Sequence, residues 1–141
     1  MRNLLPIVAL LCLMTACTPE SDTSSVSPIK VEVRKTDEGY VLLRGGEPYT
    51  VRGAGMAMND IERFAAYGGN SIRNWSTSQR GQDTRELLDT ALANGVTVAL
   101  GLPMVPERHG FDYDDAEAVA EQLEFMRDEV LKYKDHPAVL V

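Results

Sequence analysis

The feature that most constrains the fold of this chain is the alternation of apolar runs with amphipathic segments over residues 51–134. The apolar runs, which are typical of buried strands, cover residues 51–56, 71–75 and 96–102. The segments between and after them repeat apolar residues every three or four positions, which predicts helices over residues 60–67, 84–94 and 115–134. Strands that alternate with helices are typical of a parallel sheet. The pattern therefore predicts an α/β fold.

Each predicted helix begins with a capping residue that is followed three positions later by glutamate, a pair that satisfies free backbone amides at a helix start. The pairs are Asn59 with Glu62, Asp83 with Glu86, and Asp114 with Glu117. After the last helix, residues 138–141 are apolar and predict the start of a buried strand.

A different pattern precedes these units. Residues 30–36, 40–44 and 47–52 are short strand-like runs, separated by Asp37-Glu38-Gly39 and by Gly45-Gly46. Turn residues at these spacings predict two hairpins, which together form a small antiparallel meander.

Two architectures fit the alternation, a doubly wound open sheet and a (β/α)8 barrel. The first strand-to-helix segment, Gly53-Ala54-Gly55-Met56-Ala57-Met58, supplies a Gly-x-Gly but no third glycine at the right spacing, so the dinucleotide fingerprint is absent. No spacing of histidine, cysteine and carboxylate indicates a metal, and no cofactor is expected. The net charge of −7 argues against a nucleic-acid partner, because phosphates require a basic face.

The first 16 residues have the features of a secretory leader. A positive start is followed by an apolar run over residues 4–14, too short to cross a bilayer, and then by Thr15-Ala16. A buried helix that begins the protein is the alternative. Cys12 lies within this leader, so no disulfide is expected in the mature chain.

The segment Leu13-Met14-Thr15-Ala16-Cys17 resembles a bacterial lipobox. That resemblance implies that Cys17 is lipidated, becomes the new N-terminus and anchors the protein to the cell envelope. Thr18 resembles the signal for the outer membrane of a two-membrane host. Met14 departs from the usual leucine, which leaves a simple secretory signal as an alternative. The predicted organisation is a leader over 1–16, a lipidated cysteine with a polar tether over 17–28, and a domain over 29–141.

Residues 67–75, YGGNSIRNW, resemble the second-strand segment of retaining glycoside hydrolases in the (β/α)8 superfamily that includes β-galactosidases, β-glucuronidases and mannanases. Residues 45–56, GGEPYTVRGAGM, and 87–103, LLDTALANGVTVALGLP, are similar to the lead into their first strand and to their second helix and third strand. ERHGFDYDD and KDHPAVLV resemble a lipoprotein subset of that family. The resemblance covers residues 39–141.

The resemblance implies the N-terminal half of a TIM barrel preceded by a short antiparallel meander, interrupted at its fourth strand. It implies an exported enzyme that cleaves β-linked oligo- or polysaccharides with two carboxylates, about 5–5.5 Å apart in a retaining enzyme. Both glutamates are expected after Val141, because none of the 21 acidic residues ends a predicted strand. The chain alone is therefore expected to be inactive. The alternative is a non-catalytic surface lipoprotein that binds carbohydrate or another partner.

Four residues are the candidates for contact with substrate. In the family, an arginine at this position hydrogen-bonds the nucleophile, and the resemblance implies this role for Arg73. The alternative is that Arg73 is a surface residue that forms an ion pair. Trp75 is a sugar-stacking platform or a packing residue. Asn74 accompanies them, and His109 lies in the loop after the third strand, either as a substrate contact or as a solvated side chain. His136 is expected only to end a helix.

Overall fold

The computed structural model describes residues 27–56, 60–78 and 81–141. The predicted leader, Cys17 and nearly all of the tether lie outside these residues. Asn59, predicted to cap the first helix, also lies outside them.

An antiparallel sheet forms the N-terminal part of the described chain. It comprises β1 (Val31–Thr36), β2 (Gly39–Arg44) and β3 (Glu47–Pro48), in the order β1-β2-β3. Gly45 and Gly46 join β2 to β3 with φ values of 62° and 90°. These left-handed conformations suit glycine and are those that a tight two-residue hairpin requires. Beyond β3, the Tyr49 hydroxyl donates a 2.7 Å hydrogen bond to the Asn70 carbonyl, which ties this sheet to the second one.

A parallel sheet follows, with three strands of three residues each in chain order. The strands are β4 (Gly53–Gly55), β5 (Ser71–Arg73) and β6 (Thr97–Ala99). Residues 138–141 run beside β6, where Leu140 N–H donates to the Val98 carbonyl at 2.9 Å. Ala138 and Leu140 are buried, whereas Val141 is exposed, and the segment pairs with β6 through an isolated bridge at Val139.

The helices lie close to their predicted positions. They are α1 (Ile61–Ala66), α2 (Thr84–Ala93) and α3 (Ala116–Tyr133), and a short 3-10 helix spans Glu107–His109. Asp83 caps α2 as predicted, accepting hydrogen bonds from the amides of Arg85 and Glu86. The prediction that Asp114 caps α3 is wrong. Asp115, the extended residue immediately before the helix, accepts from the amides of Glu117 and Ala118.

The core lies between the parallel sheet and the helices. Its fully buried side chains are Ile61, Ile72, Leu87, Leu88, Ala91, Val96, Val98 and Ala138. The spacing of apolar residues along α3 predicts a buried face formed by Ala116, Val119, Leu123, Met126 and Val130. None of these residues belongs to this core, and Leu123 and Val130 are 57% and 42% exposed. The buried side of α3 includes Glu129 instead, and this polar burial is tolerated because Lys132 pairs with the carboxylate.

The prediction of half a (β/α)8 barrel is wrong. The described residues form mixed α/β structure with two small sheets, one antiparallel and one parallel, and three α-helices, and no barrel is closed. Closure requires the last strand of a sheet to pair with the first at a fixed tilt and stagger. Local alternation of strands and helices is common to open and closed sheets, so the pattern could not establish closure.

Candidate functional site

The carboxyl edge of the parallel sheet is organised by hydrogen bonds between the loops that follow β5 and β6. The side-chain oxygen of Asn74 accepts from Gly101 N–H at 2.8 Å, and its amide nitrogen donates to the Ser76 carbonyl at 3.1 Å. Thr77 N–H donates to the Gly101 carbonyl at 2.9 Å. Asn74 is fully buried, so it positions the two loops and does not face solvent.

Gly101 allows these loops to approach each other closely. A Cβ at this position would lie 2.4 Å from the carbonyl carbon of Trp75 and 2.8 Å from the carbonyl oxygen of Asn74. Both are backbone atoms, which cannot rotate away as a side chain can. The absence of a side chain at Gly101 therefore determines where the backbone of Trp75 lies.

Trp75 lines an open groove of about 520 Å³ on the α3 side of this edge. Its side chain is 54% exposed. The other lining residues are Ser76, Leu102, Pro103, Met104, Val105, Phe111, Ala118, Glu121, Gln122 and Phe125. The groove is therefore mainly apolar and aromatic, with a few polar groups, which is the usual composition of a ligand site.

The loop over residues 102–113 forms one wall of this groove, and a hydrogen bond ties it to α3. Gln122, on α3, accepts a 2.6 Å hydrogen bond from Val105 N–H. Phe111 packs edge-to-face on Tyr113, with 4.7 Å between the ring centroids. The hydrogen bond to Gln122 connects this wall to α3, whereas the ring contact lies within the loop itself.

Arg73 ends β5 on the sheet face that is not covered by the core. It lines a second open depression, of about 550 Å³, with Gly55, Ala99 and Leu140 among its neighbours. Its guanidinium is exposed and forms no ion pair or hydrogen bond within residues 27–56, 60–78 and 81–141. Gly55, its register partner on β4, lies against the Trp75 ring, because a Cβ there would be 3.3 Å from Cζ2. Arg73 and Trp75 thus flank the same end of β4.

His109 is not brought together with the other candidates. It ends the exposed 3-10 helix, and it is not among the residues that line the Trp75 groove. Of the four predicted substrate contacts, Arg73 and Trp75 share one edge with exposed side chains, Asn74 supports that edge from within, and His109 lies apart.

Acidic side chains are sparse in the groove. Glu121 is the single carboxylate among its lining residues. Glu129, one turn beyond Phe125 on α3, lines a neighbouring cavity with Thr77. Hydrogen bonding to Lys132 holds the pKa of Glu129 below its usual value, and the nearby Thr77 side chain adds a smaller effect in the same direction. No group of three metal-binding side chains occurs in the part of the chain that the structure describes.

Sequence reasoning missed Phe111, Gln122 and Phe125. Gln122 and Phe125 are three residues apart, so they share a helix face, and that spacing was the available signal. It was obscured by the stronger apolar stripe of α3, which includes Leu123 and Val130.

Comparison with known proteins does not assign the chain to a family. No protein-family profile matches the chain, and no curated protein matches it as a relative. Among the described residues, no helix is long and apolar enough to cross a membrane.

Proposed function

We propose that this protein acts on β-linked glycans and binds them along the groove that Trp75 lines. The observation that carries the proposal is the half-exposed indole of Trp75 within a groove that also contains Phe111 and Phe125. Aromatic rings offer broad apolar faces on which the C–H faces of a sugar ring can stack, while polar neighbours bind its hydroxyls. Gln122 and Glu121 are the polar groups that would serve those hydroxyls.

The reaction class that we propose is retaining glycoside hydrolysis, supported by the motif resemblance around residues 67–75. This chemistry needs a proton donor and a nucleophilic carboxylate on opposite sides of one glycosidic bond. Glu121 alone cannot supply both. The proposal therefore assigns both catalytic carboxylates to chain outside the described residues.

Arg73 has a defined part in this proposal. Its guanidinium has no described partner, and a planar guanidinium binds a carboxylate through two parallel hydrogen bonds. We assign it to hold the nucleophilic carboxylate ionised, because an adjacent positive charge lowers the pKa of an acid.

A non-catalytic glycan-binding protein is the second candidate. It is favoured by the single carboxylate in the groove, which suffices for binding but not for cleavage. The two candidates share the Trp75 groove and differ in whether the bound glycan is cut.

The test is affinity electrophoresis of the full chain through gels that contain soluble β-glucan, galactomannan or xylan, with an aryl β-glycoside assay in parallel. Trp75→Ala should abolish retardation by the polysaccharide that retards the wild type. Tyr67→Ala is the matched control, because Tyr67 is an exposed aromatic residue at the C-terminal end of α1, outside the groove. Equal retardation of wild type and Trp75→Ala by every polysaccharide would refute binding in the groove. Turnover of an aryl β-glycoside by the full chain would select the catalytic candidate.

We further propose export to the cell envelope and lipid attachment at Cys17. The lipobox-like segment supports this, and Cys12 provides a matched control within the same leader. Metabolic labelling with a palmitate analogue should mark the wild type and Cys12→Ser but not Cys17→Ser. Labelling of Cys17→Ser at the wild-type level would contradict lipidation at this residue.

A further inference from the structure

A second, smaller cavity lies beside the groove, and Leu102 borders both. It has a volume of about 270 Å³ and lies between α3, the end of β6 and residues 139–141. Its walls are mainly apolar and are formed by Leu100, Leu102, Val130, Tyr133, Val139 and Val141. Two buried polar side chains, Thr77 and Glu129, also line it.

Thr77 presents an unpaired hydroxyl to this cavity. The residue is 6% exposed, and Oγ1 has no hydrogen-bond partner among the residues that the structure describes. Its backbone is fully used, since its N–H donates to Gly101 and its carbonyl accepts from the Thr84 hydroxyl at 2.8 Å. A buried hydroxyl without a partner is costly, so its presence points to a group that it would bind.

Glu129 supplies a carboxylate next to this hydroxyl. The residue is 5% exposed, and Lys132 contacts Oε1 from the helix surface. Thr77 is close enough to help lower the pKa of Glu129, although its hydroxyl does not reach hydrogen-bond geometry with it. Oε2 forms no hydrogen bond within the described part of the chain, so it is available to a donor.

The polar groups define the kind of ligand. Carboxylate Oε2 requires a donor, and the Thr77 hydroxyl can donate or accept, so a single hydroxyl on a ligand can bind both. An ammonium group is disfavoured as the donor, because it would lie near Lys132 and Lys134, two cations that border this site. We propose that this cavity binds a small alcohol whose hydroxyl bridges Thr77 and Glu129 and whose apolar body packs against the leucine and valine walls.

The test uses benzyl alcohol as the probe, titrated into the full chain and followed by amide chemical shifts. Toluene and benzylamine are the matched probes, one without the hydroxyl and one with a cationic group instead. Benzyl alcohol should bind about tenfold more tightly than toluene, the ratio expected for one net hydrogen bond of about 1.4 kcal/mol. Thr77→Val should remove most of this preference, whereas Glu124→Gln, at an exposed acid on the same helix, should leave it unchanged.

Several outcomes would overturn the proposal: no saturable shift with benzyl alcohol, an unchanged preference in Thr77→Val, or tighter binding of benzylamine than of benzyl alcohol. Glu129→Gln is the second variant, and it should also weaken the preference because a neutral amide is a weaker acceptor than a carboxylate. The site is independent of the proposed glycan binding. An oligosaccharide that binds in the Trp75 groove should not displace benzyl alcohol. If the protein fails to bind one of the two ligands, its affinity for the other can still be measured.

Discussion

The side-chain oxygen of Asn74 accepts a 2.8 Å hydrogen bond from the backbone N–H of Gly101, which joins loops that are 27 residues apart in sequence. Asn74 is fully buried, and its amide nitrogen is also bonded, to Ser76. The bond links the ends of β5 and β6 and thereby sets the position of Trp75 between them.

Replacing Asn74 with alanine should lower the free energy of unfolding by about 1–3 kcal/mol, because the Gly101 N–H loses its partner in a part-buried site. The matched control is Asn94→Ala. Its amide donates to Thr90 at the half-buried end of α2, where water can replace it, so a smaller loss is expected. Urea denaturation measures both. Equal losses of unfolding free energy would indicate that the hydrogen bond between the loops contributes no more to stability than the bond at the end of α2.

Gly101→Ala should destabilise the protein by about 1–3 kcal/mol and alter the fluorescence of Trp75. The new Cβ would overlap backbone atoms of Trp75 and Asn74, so the loops must separate. Gly69→Ala is the comparison, since its Cβ would lie 2.2 Å from Cζ of the Phe64 ring, a side chain that can move. Thermal unfolding should show a larger effect at Gly101, and the reverse order would contradict the close approach described here.

Thr77 and Thr84, both buried, should respond oppositely to replacement by valine. Thr77→Val removes a hydroxyl that has no described partner, and we expect a gain of about 1 kcal/mol. Thr84→Val removes a hydroxyl that donates to the Thr77 carbonyl at 2.8 Å, and we expect a loss of about 1 kcal/mol. Chemical denaturation of the two variants gives the sign of each change in the free energy of unfolding. A loss in Thr77→Val would show that its hydroxyl is satisfied in the folded protein.

Stability should fall in acid partly through Glu129. Its pKa is lowered in the folded protein from the usual 4.5, so its contribution is complete above pH 4.5 and is lost as the pH falls through the folded value. Glu129→Gln should therefore be less stable than the wild type at neutral pH, and the difference should shrink in acid. Glu124→Gln, at an exposed site on the same helix, controls for net charge. A difference between wild type and Glu129→Gln that is independent of pH would exclude this role.

Local patterns in the sequence predicted local structure well. The spacing of Leu87, Leu88 and Ala91, with Asp83 before them, defines α2, because periodicity and capping act within a few residues. The same reasoning misplaced the buried face of α3. Leu123 and Val130 form the stronger apolar stripe, yet the helix buries Glu129, whose charge is compensated by Lys132.

Contacts between distant segments could not be predicted in this way. Nothing near Asn74 indicates that its partner is Gly101, and nothing near Trp75 indicates that Phe111 and Phe125 line the same groove. The mistaken barrel has the same origin, because closure depends on pairing between the first and last strands. The sequence identified Trp75 as a candidate from its residue type and its place at the end of the predicted strand 71–75, which are both local properties.

The most direct test of glycan binding in the groove is a fluorescence titration of Trp75 with soluble β-linked gluco-, manno- and galacto-oligosaccharides. Trp75 is the only tryptophan in the chain, so its emission reports on the groove without interference from other indoles. Glycan binding in the groove predicts a saturable change in emission with at least one oligosaccharide, with a blue shift as the half-exposed ring is covered. It also predicts that Phe125→Ala weakens this response and that Tyr67→Ala does not. Emission that stays unchanged through the whole series would contradict glycan binding at this site.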